Sequence, residues 1–196
     1  MVVLDMEGVL VPEIWIAVAE RTGVDALRRT TRDEPDYDAL MRYRLDLLAE
    51  HGLTMSLIAD VIAGLDPLPG AQGFLDELRS ERPVVILSDT FEQFAHALAP
   101  KLSHPLILCH RLEVDEPSDR ITGYRLRMPD QKRAAVEAFR SLGYRVLAAG
   151  DSYNDTSMLL AAESGYLFRA PPNVITDFPQ LEPVDDFDEL LTRLLA

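Results

Sequence analysis

With a single cysteine, Cys109, among its 196 residues, the chain can form no internal disulfide, a usage that fits a reducing cytoplasm. Cys109 ends an apolar run and reads as a core residue. Positive charge is scarce too: 19 Lys and Arg stand against 33 Asp and Glu, a formal charge of −14. Nucleic acid and anionic membrane both require a basic footprint, so neither is expected as the main partner, and an anionic substrate must meet locally placed cations. No apolar run approaches the ~20 residues of a membrane-spanning helix, and the N-terminus lacks the features of a signal peptide, so a cytoplasmic protein is expected. Internal repeats, low-complexity tracts and zinc spacings are missing. His51, His96, His104 and His110 are scattered and read as surface or partly buried imidazoles.

What is present is enough apolar residue, 47%, for one full domain with a core. Val2-Val3-Leu4 reads as a strand buried on both faces, cut off by Asp5 and Glu7, with Gly8 letting the backbone turn or approach a neighbour closely. An acidic turn and a ligand site at the carboxyl end of a strand both fit these residues taken alone.

Residues 13–67 show no convincing strand and read as a helical cap inserted into an α/β unit made of 1–12 and 68–196. A helix runs from about Glu13 to Thr22 and stops at Gly23; Arg28, Arg29 and Arg32 follow in a polar stretch. Asp36 caps a helix from Tyr37 to His51 that Gly52 terminates. Helical spacing puts Arg44 within its apolar stripe, between Leu40 and Leu48, either snorkelling at the edge or facing a cleft and pairing with an anion. Thr54 caps a third helix carrying Leu57, Ile58, Val61, Ile62 and Leu65.

From Gly70 onward helix and strand alternate, the pattern of a mostly parallel sheet with helices on both faces. Phe74 to Arg79 is helical, Val84 to Leu87 is a buried strand ending at Ser88-Asp89-Thr90 with a helix at once, and Leu106 to Cys109 is the next strand. Residues 112–126 suggest a β-hairpin, a flap or an edge. A helix starting near Asp130 leads to the strand Val146 to Ala149, which ends at Gly150-Asp151-Ser152-Tyr153-Asn154-Asp155. Tyr166 to Phe168 is a last short strand, followed by a polar, proline-punctuated stretch and a C-terminal helix.

Parallel topology would bring three strand ends to one edge. Asp5, Glu7, Asp151 and Asp155 would then crowd four carboxylates that cannot all ionise without a cation, and an all-oxygen donor set suits Mg²⁺. Ser88 is either an ordinary helix cap or a hydroxyl aimed at a phosphate oxygen. Lys132 lies in a first helical turn, where the macrodipole disfavours a cation; an ammonium aimed at a phosphate explains that position better than a solvated lysine.

The ordered series LDMEG, ILSDT, Lys132 and GDSYND, with a helical insertion after the first, resembles the haloacid dehalogenase superfamily of phosphatases over essentially the whole chain. Glu13, Arg44 in MRYRLDLL and GDSYND resemble its phosphoserine phosphatase branch, and Glu7 in place of the usual second Asp resembles the members that also transfer phosphate to homoserine. The resemblance implies Asp5 as nucleophile and Glu7 as acid/base; Mg²⁺ on Asp5, the Glu7 backbone carbonyl and Asp151, with Asp155 in support; and Ser88, the Asp89 N–H and Lys132 on the phosphoryl group. It further implies Glu13 on the substrate ammonium, Arg44 on its carboxylate, and Asn154 binding substrate or orienting the nucleophile. Asp89 stands where the family commonly has glycine, its carboxylate expected to turn away from phosphate. Another small phosphate ester as substrate, or a non-catalytic receiver-like phospho-switch, are the alternatives; chain order counts against the switch. The cap and hairpin offer surfaces for a homodimer without demonstrating one.

Overall fold

The computed structural model describes residues 1–31, 33–34 and 36–196; Arg32, part of the polar stretch noted above, lies outside the described residues. In chain order the elements are β1 (Val2–Leu4), α1 (Ile14–Thr22), α2 (Tyr37–Glu50), α3 (Met55–Ala63), α4 (Ala71–Glu81), β2 (Val84–Phe91), α5 (Glu92–Leu98) and β3 (Leu106–Asp115). They continue with β4 (Arg120–Arg125), α6 (Gln131–Ser141), β5 (Leu147–Gly150), α7 (Thr156–Ala161), β6 (Ser164–Phe168), α8 (Pro172–Asp177), β7 (Glu182–Val184) and α9 (Phe187–Leu195).

The strands form one sheet in the order β4-β3-β2-β1-β5-β6-β7, parallel except for β4. β1 is central because all three of its residues are apolar and fully buried, which only a strand covered on both faces can use. Alternation divides its side chains: Val2 and Leu4 join one apolar cluster with Ile86, Phe91 and Phe94, and Val3 joins another with Val85, Ala148 and Leu167. Each fully buried side chain of this kind contributes roughly 1.5–3 kcal/mol against the entropy of ordering the chain. The chain leaves β1 for β2 on one side and later crosses to β5 on the other, so strand order reverses at β1 and a crevice opens beyond the carboxyl ends of β1, β2 and β5.

Trp15 of α1 with Tyr37 and Arg44 of α2 line this crevice, and the cores of α1 to α3, among them Ile14, Val18, Met41, Leu48 and Ile58, belong to the same cluster as Leu4 and Ile86. Their ends follow the sequence signals. Gly23 closes α1 in the left-handed region at φ 73°, Asp36 accepts from Ala39 N–H at 3.0 Å, and the Thr54 hydroxyl accepts from Leu57 N–H at 3.3 Å. The β3–β4 hairpin forms the sheet edge and reaches this helical segment: Met55 N–H donates to the Asp119 carbonyl at 2.9 Å and Ser56 N–H to its carboxylate at 2.9 Å.

Four expectations are corrected. Ser88-Asp89-Thr90 does not open a helix: β2 runs on to Phe91 and α5 begins at Glu92. Leu87 pairs with Leu108 and Phe91 with His110, so β2 takes four steps where β3 takes two, and the tripeptide is a bulge. Bulges re-aim side chains beside active sites, and the polar run looked like a strand end for that reason. The proline-punctuated stretch near the C-terminus holds α8 and a seventh strand, β7, whose Pro183 sits on an edge strand, where a missing N–H is tolerated. Leu57 is exposed and outside the α3 stripe. His110 is buried, because both Cys109 and His110 of β3 face covered surfaces.

Candidate active site

Asp5 is the first residue beyond β1, and its N–H extends the ladder to the Ala149 carbonyl at 2.9 Å, so its position is set by the sheet. Gly8, at φ 79°, brings the following loop against Asp151; a Cβ there would lie 2.5 Å from an Asp151 carboxylate oxygen. Beyond β5, the Tyr153–Asp155 turn is a capping box in which Asp155 Oδ2 accepts from the N–H groups of Asp151 at 2.9 Å and Ser152 at 3.1 Å. Gly150 is again required, since a Cβ would stand 2.5 Å from Asp155. Asp5, Asp151 and Asp155, all buried, thereby place carboxylate oxygens within 4.8 Å of one another.

Lys132 enters this cluster from α6, fully covered, donating to Asp5 Oδ1 at 2.8 Å and Asp155 Oδ1 at 2.7 Å, with Asp89 Oδ2 at 3.5 Å. Burial opposes its charge, but Asp155, Asp5 and Asp89 outweigh burial and lift its pKa well above the ordinary lysine value. One ammonium does not balance three buried carboxylates: burial, with Asp155 next in importance, pushes the Asp5 carboxyl well above the ordinary range despite Lys132. That excess negative charge, presented entirely by oxygen, matches a hard divalent cation.

The Glu7 side chain is not part of the triad. Its Oε2 accepts from Ile14 N–H, the first of α1, at 2.9 Å, and burial together with Glu13 raises its pKa to about 7. Near it Arg44 is buried under the helices, its guanidinium 4.6 Å from the Trp15 ring centre and donating to the Arg29 carbonyl at 2.9 Å. Burial lowers its pKa to about 10, and its Nε is, among the described residues, a buried donor with no partner. Arg44 is therefore not a snorkelling surface residue; it lines one cavity of about 70 Å³ with Asp5, Glu7, Glu13, Ser88, Asp89, Lys132, Asp151 and Asn154. Asp155, fully buried, joins them through Lys132. All ten residues singled out from the sequence thus meet in one place.

Two of these side chains have partners that the sequence did not indicate. Asn154 lines the cavity, where its Nδ2 donates to Asp89 Oδ2 at 2.9 Å and its Oδ1 accepts from the Ser152 hydroxyl. The Asp89 carboxylate is held among Asn154 Nδ2, Gln131 Nε2 at 3.1 Å, His110 Nε2 at 3.5 Å and Lys132 Nζ at 3.5 Å. Three further residues escaped the sequence reading. Gln131 ties α6 to the bulge through the Ser88 carbonyl, buried His110 closes one side of Asp89, and the Tyr37 hydroxyl donates to the Asp89 carbonyl at 2.9 Å. Gln131 shares a first turn with Lys132 and Tyr37 follows an N-cap, which were the available signals; His110 had none.

A family model for haloacid dehalogenase-like hydrolases matches residues 1–163. Phosphoserine phosphatase ThrH of Pseudomonas aeruginosa is 58% identical over 192 residues, covering 98% of this chain and 93% of that protein. A phosphoserine phosphatase of Pseudomonas syringae pv. tomato is 59% identical over 187 residues, covering 95% and 78%. Among solved structures, a substrate-bound phosphoserine phosphatase complex superposes with a TM-score of 0.81 at 20% identity, covering 98% of this chain and 96% of that one. A phosphoserine phosphatase with a phospho-aspartyl intermediate analogue gives 0.80 at 21%, covering 98% and 97%; at such identities these two speak to the fold alone. Sequence similarity of this extent, on a site built at the switch point of a parallel sheet, makes the chain a member of the haloacid dehalogenase-like hydrolase family.

Proposed function

We propose that the protein is a Mg²⁺-dependent phosphoserine phosphatase that also passes the phosphoryl group of phosphoserine to homoserine, with Asp5 as the phosphorylated residue. The observation that carries this reading is the charge pattern of one cavity. Phosphoserine is an amino acid zwitterion with a phosphate, and the cavity offers Arg44 with a spare buried donor, Glu13 beside it, and Asp5 with Lys132. The names of the two Pseudomonas relatives agree with it.

In this reading Asp5 attacks phosphorus in line and Glu7 gives a proton to the departing serine oxygen. Glu7 then takes a proton from the incoming water or homoserine hydroxyl, which displaces Asp5. Lys132, the Ser88 hydroxyl and the Asp89 N–H hold the phosphoryl oxygens. Arg44 holds the substrate carboxylate as a planar donor pair and Glu13 the ammonium. Asp5, Asp151 and the Glu7 backbone carbonyl would bind Mg²⁺, with Asp155 in support; the ion supplies charge neutralisation that allows an anionic carboxylate to approach an anionic phosphate. Residues 1–12 and 68–196 would be the catalytic unit and 13–67 its cap. A cytoplasmic setting agrees with the buried lone cysteine; among the described residues no helix is long and apolar enough to cross a membrane.

The test is phosphate release from phosphoserine with Mg²⁺, with and without homoserine, while phosphohomoserine is followed. Release and transfer are expected; neither product would refute the substrate. Arg44→Ala separates phosphoserine from other small phosphate esters: a large rise in KM for phosphoserine, with p-nitrophenyl phosphate little changed, is expected only if Arg44 reads the carboxylate.

A further inference from the structure

The mechanism above uses the backbone of Asp89 and leaves its carboxylate without a task. That carboxylate sits in the β2 bulge, half-buried, and borders both the catalytic cavity and a second cavity of about 340 Å³ that also touches Tyr37, His110, Met128 and Tyr153. Donors fix it from three elements: Asn154 Nδ2 from the turn after β5, Gln131 Nε2 from α6 and His110 Nε2 from β3. These contacts hold it beside Lys132. Burial opposes its ionisation, yet Lys132, then His110, Asn154 and Gln131 outweigh burial and hold it well below the ordinary carboxylate range. It stays charged whenever the enzyme works near neutral pH.

Asp89 Oδ2 is 3.5 Å from Lys132 Nζ, so the cation assigned to the phosphoryl oxygens is shared with a carboxylate that takes no part in the reaction. We infer that Asp89 is a specificity-determining residue that weakens the grip of the site on inorganic phosphate by facing the Lys132 ammonium with a fixed negative charge, and so speeds product release. The inference rests on the reading of Lys132 as a phosphate ligand, not on the identity of the ester. A dianion a few ångströms from a fixed carboxylate loses affinity, whereas the transition state, with charge spread over the metaphosphate-like group, loses less.

The experiment measures inorganic phosphate binding to the Mg²⁺-loaded enzyme by calorimetry, and product inhibition of p-nitrophenyl phosphate hydrolysis, for wild type, Asp89→Asn and Asp89→Glu. Asp89→Asn is expected to bind phosphate about three- to tenfold more tightly and to lose kcat, while Asp89→Glu stays within about twofold of wild type for phosphate. A purely structural role would weaken phosphate binding in both variants. Unchanged or weaker binding in Asp89→Asn with a native circular dichroism spectrum overturns the inference, as does a wild type that binds no phosphate. If Asp89→Asn does not fold, Asp89→Ser is read by the same criterion. A wild type that binds phosphate yet leaves phosphoserine intact would refute the proposed substrate and leave the role of Asp89 standing.

Discussion

At the scale of single residues the site depends on where a few charges are held. Lys132 is clamped between Asp5 and Asp155, and its removal would leave two buried carboxylates unpaired. Lys132→Ala should cost about 3–5 kcal/mol in urea unfolding near pH 7 with chelator present; a loss below about 1 kcal/mol would contradict the clamp. Glu7 is longer than the aspartate usual at its position, and its carboxylate is anchored to Ile14 N–H, at the mouth of the helical segment. A misplacement of one bond length changes how well a small nucleophile is activated, so Glu7→Asp should raise the ratio of hydrolysis to homoserine transfer; an unchanged ratio in a parallel product assay would remove that explanation. The residues that bear the chemistry were legible from sequence because each follows a strand or opens a helix at a fixed place. The partners of the Asp89 carboxylate were not, because they lie on β3, on α6 and on the turn after β5, which no local spacing relates.

At the scale of elements, the strands β1 and β5 were legible as short apolar runs, and α1 to α3 by caps and stripes. The β2 bulge was not, since Ser-Asp-Thr carries the same polar signal whether the chain turns or merely kinks. The long reach of β3 was also hidden, because its outer half reads as a separate hairpin. That hairpin matters: Asp119, at φ 56°, supplies both a carbonyl and a carboxylate to the first N–H groups of α3. The Ser56 N–H holds the Asp119 carboxyl below its ordinary pKa. A depressed folded pKa means that the stabilisation is present above the unfolded value of about 3.9 and is lost as pH falls through the folded one. Asp119→Asn keeps the backbone geometry and removes the charge, so its urea midpoint should lie below that of wild type from neutral pH down to about pH 5, the gap closing toward pH 3. A gap that stays constant across that range would show that the charge contributes nothing to docking α3.

At the scale of the whole molecule, a chain of formal charge −14 concentrates three carboxylates at the switch point of its sheet and answers them with one lysine. In the proposed function a divalent cation offsets this excess. The thermal midpoint should therefore rise with Mg²⁺ concentration, by the equivalent of about 2.7 kcal/mol at a hundredfold excess over Kd, and Asp151→Asn should flatten the dependence. Equal responses in wild type and variant would place the ion elsewhere. The parallel, doubly covered architecture was evident from the alternation of elements after Gly70, whereas β7 was not, because a three-residue strand containing proline carries no periodicity. What unites the molecule is the claim that Asp5, where β1 delivers it beside Lys132, accepts the phosphoryl group. The most direct measurement is acid quenching of the enzyme during turnover of phosphoserine with Mg²⁺, followed by mass spectrometry of its peptides. One phosphoryl group on the peptide containing Asp5, absent from Asp5→Asn, is the predicted result; phosphate released with that peptide unmodified, or with the label on another residue, would contradict it.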